Sequence, residues 1–92
     1  MKLRWSERAT RDTEDIVSYI AHDSGEAAHR WLEETFEAVE KLQEFPRLGR
    51  VVPEFGVDSL RELIHGRYRI VYELGEEDIT IVTVFDGSRL LI

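Results

Sequence analysis

Apolar positions in the first 45 residues recur at spacings of three and four, whereas from residue 60 onward they alternate or run together. The change of period divides the chain into a helical part and a strand part. Before the helices, Lys2–Trp5 alternates, with Leu3 and Trp5 on one side, which predicts a short first strand. Ser6 is placed as an N-cap and Glu7 adds an acid to the first turn. Ala9, Thr13, Ile16 and Ile20 then form one helical stripe with Val17 and Tyr19 beside it. Arg11, Glu14, Asp15 and Ser18 lie elsewhere on the cylinder, and the helix is predicted to run to about Asp23. Ser24-Gly25 breaks it, and Ser24 is placed to cap a second helix from Glu26 to about Glu44. Ala28, Trp31, Leu32, Thr35, Phe36, Val39 and Leu42 form its apolar stripe. Phe45-Pro46 ends it, because the residue before a proline is pushed out of the α region.

From Arg47 to Ser59, with Gly49, Pro53 and Gly56, the chain reads as loop. Three strands are predicted after it: Leu60–Ile64, then Tyr68–Leu74 beyond the turn His65-Gly66-Arg67, then Ile79–Phe85 beyond Gly75 and acidic residues. In the middle strand Tyr68, Ile70, Tyr72 and Leu74 share one face, and Arg69, Val71 and Glu73 the other. The expected fold is α+β, with an αα-hairpin covering one face of a small, mostly antiparallel sheet built on this three-stranded meander. Trp31, Phe36, Val39 and Leu42 are expected to pack on the Tyr68/Ile70/Tyr72 side as core, leaving the opposite face to carry charge toward a partner or water.

Ninety-two residues imply one domain, residues 1–92, with one small core. With no cysteine, disulfides and thiolate zinc sites are excluded. His22 and His29 are seven residues apart without convergent carboxylates, so they read as surface residues, and neither metal nor cofactor is expected. No apolar run approaches the roughly 20 residues of a membrane helix, and no signal-peptide core opens the chain. A soluble, cytoplasmic protein is the expectation. The net charge of -7 is unevenly spread. Residues 7–44 hold eleven acidic and four basic side chains, a net of -7, whereas residues 45–72 are net +2. The arginines Arg47, Arg50, Arg61, Arg67 and Arg69 therefore gather near the first two strands of the meander.

Neither a phosphate loop, a zinc spacing nor a Ser-His-Asp set is present. What remains is a surface for phosphate or an acidic partner, with Arg50, Arg61 and Arg69 leading, since a guanidinium fork matches either anion bidentately. Arg69 has a second reading, as a cross-strand partner of Glu62 or Glu73. Glu54 likewise is either a functional carboxylate on a loop or the ion-pair partner of a nearby arginine. Arg89, Leu90, Leu91 and Ile92 form a tail apolar enough to pack on the domain or into a partner.

The run RELIHGRYRIVYEL followed by a second hydrophobic strand, the upstream FPRLGRVVPE, and KLRWSERA leading to DIVSYIA occur in an order that resembles the RelE/ParE superfamily. These are the toxins of type II toxin–antitoxin pairs. The resemblance implies a cognate antitoxin, a hetero-oligomer with it, and a growth-inhibiting activity. The LRELIHGRYRIVY phrase is closer to the ParE-like, plasmid-stabilisation branch, associated with DNA gyrase and not with RNA cleavage. The alternative is a ribosome-dependent messenger-RNA endoribonuclease of RelE type, with Glu54 or a histidine as base and Arg69 on the phosphate. Against it, Leu60 and Glu62 stand where that branch carries lysines, and no tyrosine follows Tyr72. Asp86-Gly87-Ser88-Arg89 also replaces the His-Gly-Arg-Arg of many relatives. A third reading is an inactive module that keeps only the antitoxin-binding surface. In all three, Arg47, Arg50, Arg61, Arg67, Arg69, Arg89 and Leu90–Ile92 are the expected contacts to a partner or target.

Overall fold

The computed structural model describes residues 1–89. Its elements in chain order are β1 (Lys2–Trp5), α1 (Glu7–Ala21), α2 (Gly25–Glu40), a 3-10 turn (Lys41–Gln43), β2 (Arg50–Val51), β3 (Leu60–His65), β4 (Tyr68–Leu74) and β5 (Asp78–Asp86). Both serine caps form: Ser6 Oγ accepts from the Ala9 amide and Ser24 Oγ from that of Ala27. The second helix stops earlier than its periodicity predicts. The stripe continues through a 3-10 turn that still buries Leu42, so helix end and stripe end do not coincide. Among the described residues no helix is long and apolar enough to cross a membrane.

The sheet has five strands in the order β1-β5-β4-β3-β2. The meander β3-β4-β5 is antiparallel, as expected, and its first turn is Gly66-Arg67, with Gly66 at φ +60° where a side chain is disfavoured. Two features exceed the sequence reading. β1 lies parallel to β5, Leu3 beside Ile79 and Trp5 beside Ile81. Residues 50 and 51, inside the stretch read as loop, form β2 antiparallel to β3. Two residues carry no period, and only β3 gives them a partner.

β5 contains a bulge. Val71 pairs with Thr83 but Tyr72 with Ile81, leaving Val82 as the extra residue. α1 fastens it. Ser6 Oγ donates to the Val82 carbonyl at 2.8 Å, and Asp12 Oδ2 accepts from Thr83 Oγ1 at 2.6 Å and from the Val84 amide at 3.1 Å. Helix and sheet are thus joined by polar bonds where the strand is irregular.

The core lies between the helices and one sheet face: Ala9, Trp31, Val39 and Leu42 against Tyr68, Ile70, Tyr72, Ile79, Ile81 and Val84. Trp31 meets Tyr68 edge-on, ring centroids 5.3 Å apart, and stacks on His65 at 5.9 Å. Phe36 departs from expectation. It is 44% exposed and stands outside the core, edge-on against Trp5 at 5.6 Å. One position of the stripe therefore overshoots the contact with the sheet. Leu42→Ala is expected to cost about 2–5 kcal/mol, as for a fully buried leucine, and Phe36→Ala only about 1, little more than its aromatic contact. Parallel denaturant titrations would check this; equal losses would restore Phe36 to the core.

The arginine-bearing sheet face as candidate functional site

On β3 and β4 the side chains opposite the core alternate: Glu62 and Ile64 on one strand, Arg69 and Val71 on the other. This face is not simply open to water. Val52 and Val71 are buried, and so are Arg69 and Glu62. Their charges are satisfied by a chain of ion pairs. Arg69 Nε donates to Glu62 Oε1 at 2.6 Å, and its Nη1 and Nη2 grip both oxygens of Glu54 at 2.6 and 2.7 Å. Arg50 Nε and Nη2 each reach Glu62 Oε2 at 2.7 Å. Among the described residues, two cations and two carboxylates thus form one network that straps the loop after β2 onto the sheet. Glu54, then Glu62, hold the Arg69 guanidinium firmly protonated against the opposing effect of its burial. The guanidinium also stands 5.1 Å from the centre of the Phe85 ring. Both structural readings made from sequence are present: Glu54 is an ion-pair partner, and Arg69 has Glu62 as its cross-strand acid.

The remaining arginines do not converge on one spot. Arg61, with its side chain 13% exposed, belongs to a clamp at the other end of the sheet. Its Nη1 donates to the Gly49 carbonyl, its Nε to the Asp58 carbonyl and its Nη2 to Asp58 Oδ1. Its cross-strand neighbour Tyr72 completes the clamp, accepting from the Gly49 amide at 2.8 Å and donating to the Pro46 carbonyl at 2.9 Å. Burial raises the Tyr72 phenol, partly offset by the Gly49 amide, so it stays a donor. Arg47 is exposed and shares Asp58 with Arg61; these two guanidiniums, Arg47 first, hold the Asp58 carboxyl below the usual carboxylate range.

Arg67, in the β3–β4 turn, pairs with Asp86 at the end of β5. The Ser88 amide, then the Ser88 hydroxyl, then Arg67 bring Asp86 down to about 2. Arg89 is exposed just beyond. Leu90, Leu91 and Ile92 lie outside the described residues. Among the described residues, the arginines that line the open face and stay more than half exposed while paired are Arg50 and Arg67, with side chains 59% and 63% exposed. Together with Ile64, 56% exposed, they border a shallow depression floored by Arg69 and Gly87.

Glu62, read from sequence both as standing where a lysine is expected and as a cross-strand partner of Arg69, is the fully buried hub of the network. Its alternation with Ile64 opposite Arg69 was the available signal. The upstream phrase FPRLGRVVPE acquires physical meaning as well. It supplies the Pro46 carbonyl and Gly49 amide to Tyr72, and Arg50 and Glu54 to the network.

Residues 3–91 match the family described as the ParE toxin of the type II toxin–antitoxin system parDE. A candidate toxin of Sinorhizobium fredii (strain NBRC 101917 / NGR234), Y4kP, is 35% identical over 90 residues, covering 96% of this chain and 90% of its own. A chain in the structure of the chromosomal ParDE TA system from P. aeruginosa superposes with a TM-score of 0.79 at 22% identity, over 94% of this chain and 95% of that one, and so shares the fold. The chain belongs to the ParE toxin family of type II toxin–antitoxin systems.

Proposed function

We propose that this toxin is silenced by a cognate protein antitoxin docking on the open sheet face, and that in the cytoplasm it poisons DNA gyrase without cutting messenger RNA. The antitoxin partner follows from kinship with a ParDE system, and gyrase from the ParE-like character of the LRELIHGRYRIVY strands. The observation that carries the docking face is Arg50 and Arg67, both more than half exposed, beside the exposed apolar Ile64. Such a combination suits an acidic, amphipathic segment that folds as it binds, charge steering the encounter and apolar contacts holding it.

Ribonuclease chemistry is less well served. It would need Arg69 on the phosphate with Glu54 or a histidine as base, yet Arg69 and Glu54 are committed to each other at 2.6–2.7 Å. The inactive-module reading differs only in lacking toxicity, so growth decides it. Expression without antitoxin should arrest growth, inhibit supercoiling by gyrase and leave transcripts on translating ribosomes intact. Site-specific transcript cuts that vanish in Arg69→Lys would instead favour the ribonuclease, and unimpaired growth the inactive module. Arg61 and Arg69 are too buried to test docking by charge reversal. Arg50→Gln with Arg67→Gln should weaken antitoxin binding about tenfold, mainly through association rate. Charge reversal at Glu33 and Glu37 should leave it unchanged, and equal effects would move the docking face elsewhere.

A further inference from the structure

Where α1 passes the β3–β4 turn and the end of β5, a second depression of about 400 Å³ opens between helix and sheet. α1 contributes Asp15, Ile16 and Tyr19 to its lining, the sheet Tyr68 and Phe85, and the turn after β5 Arg89. Arg67 and Asp86 line both this depression and the one on the open face, so their ion pair stands between the two. Most of the charges here are already used. Asp12 accepts from Thr83 and the Val84 amide, and Asp86 from Arg67 and Ser88. The Asp15 carboxylate and the Arg89 guanidinium, both exposed, have no ion pair or hydrogen bond among the described residues. Arg89 is nevertheless held in place. Its amide donates to the Asp86 carbonyl at 3.1 Å, and Ser88 donates to Asp86 Oδ1 through amide and hydroxyl at 2.9 and 2.8 Å. Asp15 lies one helical turn before Tyr19, on the same face of α1. Tyr19 is 68% exposed, the most open of the large apolar side chains among the described residues. Tyr68, by contrast, is 8% exposed, yet its hydroxyl has no hydrogen-bond partner among the described residues.

From this we infer that the depression binds a free aromatic α-amino acid in its zwitterionic form. One unpaired acid and one unpaired cation share a lining with exposed aromatic surface, which matches a ligand that carries both charges beside a ring. The ligand ammonium donates to Asp15, its carboxylate takes the planar fork of Arg89, and its ring lies against Tyr19 and Phe85. The Tyr68 hydroxyl supplies a further polar contact. Both charged groups line one small depression, so the ligand must carry its two charges close together, as an amino acid does on a single carbon. The volume lies at the low end of the range for small-molecule sites. Other occupants fit less well. A nucleotide or other polyanion meets three carboxylates, Asp12, Asp15 and Asp86, against two guanidiniums. A simple cation is left facing Arg89. A second copy of this chain brings another net charge of -7. The inference goes beyond the proposed antitoxin face, whose Arg50 and Ile64 line the other depression.

The test titrates the full chain with four probes, followed by amide chemical shifts: L-phenylalanine, phenethylamine without the carboxylate, hydrocinnamate without the ammonium, and L-alanine without the ring. Phenylalanine should bind in the millimolar range, as suits a ligand of few atoms, and each of the others at least about tenfold more weakly. The shifts should centre on Asp15, Tyr19 and Phe85. Each exposed group is then matched to one part of the ligand. Asp15→Asn should bring phenylalanine down to the affinity of hydrocinnamate, Arg89→Gln to that of phenethylamine, and Tyr19→Ala to that of alanine. Thermal midpoints close to the parent's would show that the three variants fold. Equal affinity for phenylalanine and either singly charged probe would overturn the inference, as would shifts centred elsewhere or binding indifferent to the three substitutions. Tighter binding of phenethylamine would reassign the depression to a cation. Self-association that Tyr19→Ala abolishes would reassign it to a second copy. None of these readouts depends on toxicity or on the antitoxin.

Discussion

Arg69→Ala is expected to destabilise the fold by about 3–5 kcal/mol, a large part of what a domain this size possesses. The side chain is 8% exposed and Glu62 is fully buried, so the truncation strands a carboxylate away from water with Arg50 as its remaining cation. Glu54 loses both of its Arg69 bonds, and the loop after β2 loses its strap. Arg69→Lys should fall between, because one ammonium cannot serve three oxygens from a fixed planar fork. Replacing the pair together, Arg69→Met with Glu62→Leu, should recover much of the loss, since the cost lies in orphaning a buried charge more than in losing attraction. Urea titrations of the three variants measure it. A loss below about 1 kcal/mol for Arg69→Ala would mean that the network is not a structural element.

Gly49→Ala is expected to cost about 3 kcal/mol for a change of one methyl group. A Cβ there would stand 2.5 Å from the Glu62 carbonyl oxygen and 2.7 Å from both Cε1 and the hydroxyl of Tyr72. The first obstacle is backbone inside a sheet and the second a ring packed in the core, so neither yields cheaply. Tyr72→Phe removes the other half of the clamp and leaves the Gly49 amide and Pro46 carbonyl without their phenol, at about 1–3 kcal/mol. Because both changes strike one contact, the double variant should lose less than the sum. Strict additivity in a double-mutant cycle would show that the clamp is not one unit.

These two sites show where sequence was readable. Ser6, Ser24, the stripes of both helices and the three meander strands follow from local chemistry, so they were legible. The exposure of Phe36 was not, because period 3.6 assigns a residue to a stripe without saying how wide the partner surface is. β2 escaped because a two-residue strand exists only through its neighbour. The parallel docking of β1 on β5 joins residues whose pairing nothing in either segment specifies. At the site, the arginine cluster was visible as composition. Its division between a network on Glu62 and Glu54, a loop clamp on Asp58 and a turn pair on Asp86 depends on strand register and the path of residues 52–59.

The pairing of β1 with β5 has a consequence for synthesis. Lys2–Trp5 is the first of the described strands in chain order and Asp78–Asp86 the last, and β5 separates β1 from the rest of the sheet. Until β5 has left the ribosome, the helical hairpin has nothing to hold Ile79, Ile81 or Val84 against its apolar side, and β1 has no strand beside it. The high sequence separation of this contact makes sheet closure a late, entropically costly step, while the two capped helices form locally and early. A nascent chain short of β5 has no strand to join β1 to β4, so the toxin cannot close its sheet before Asp86 has been added.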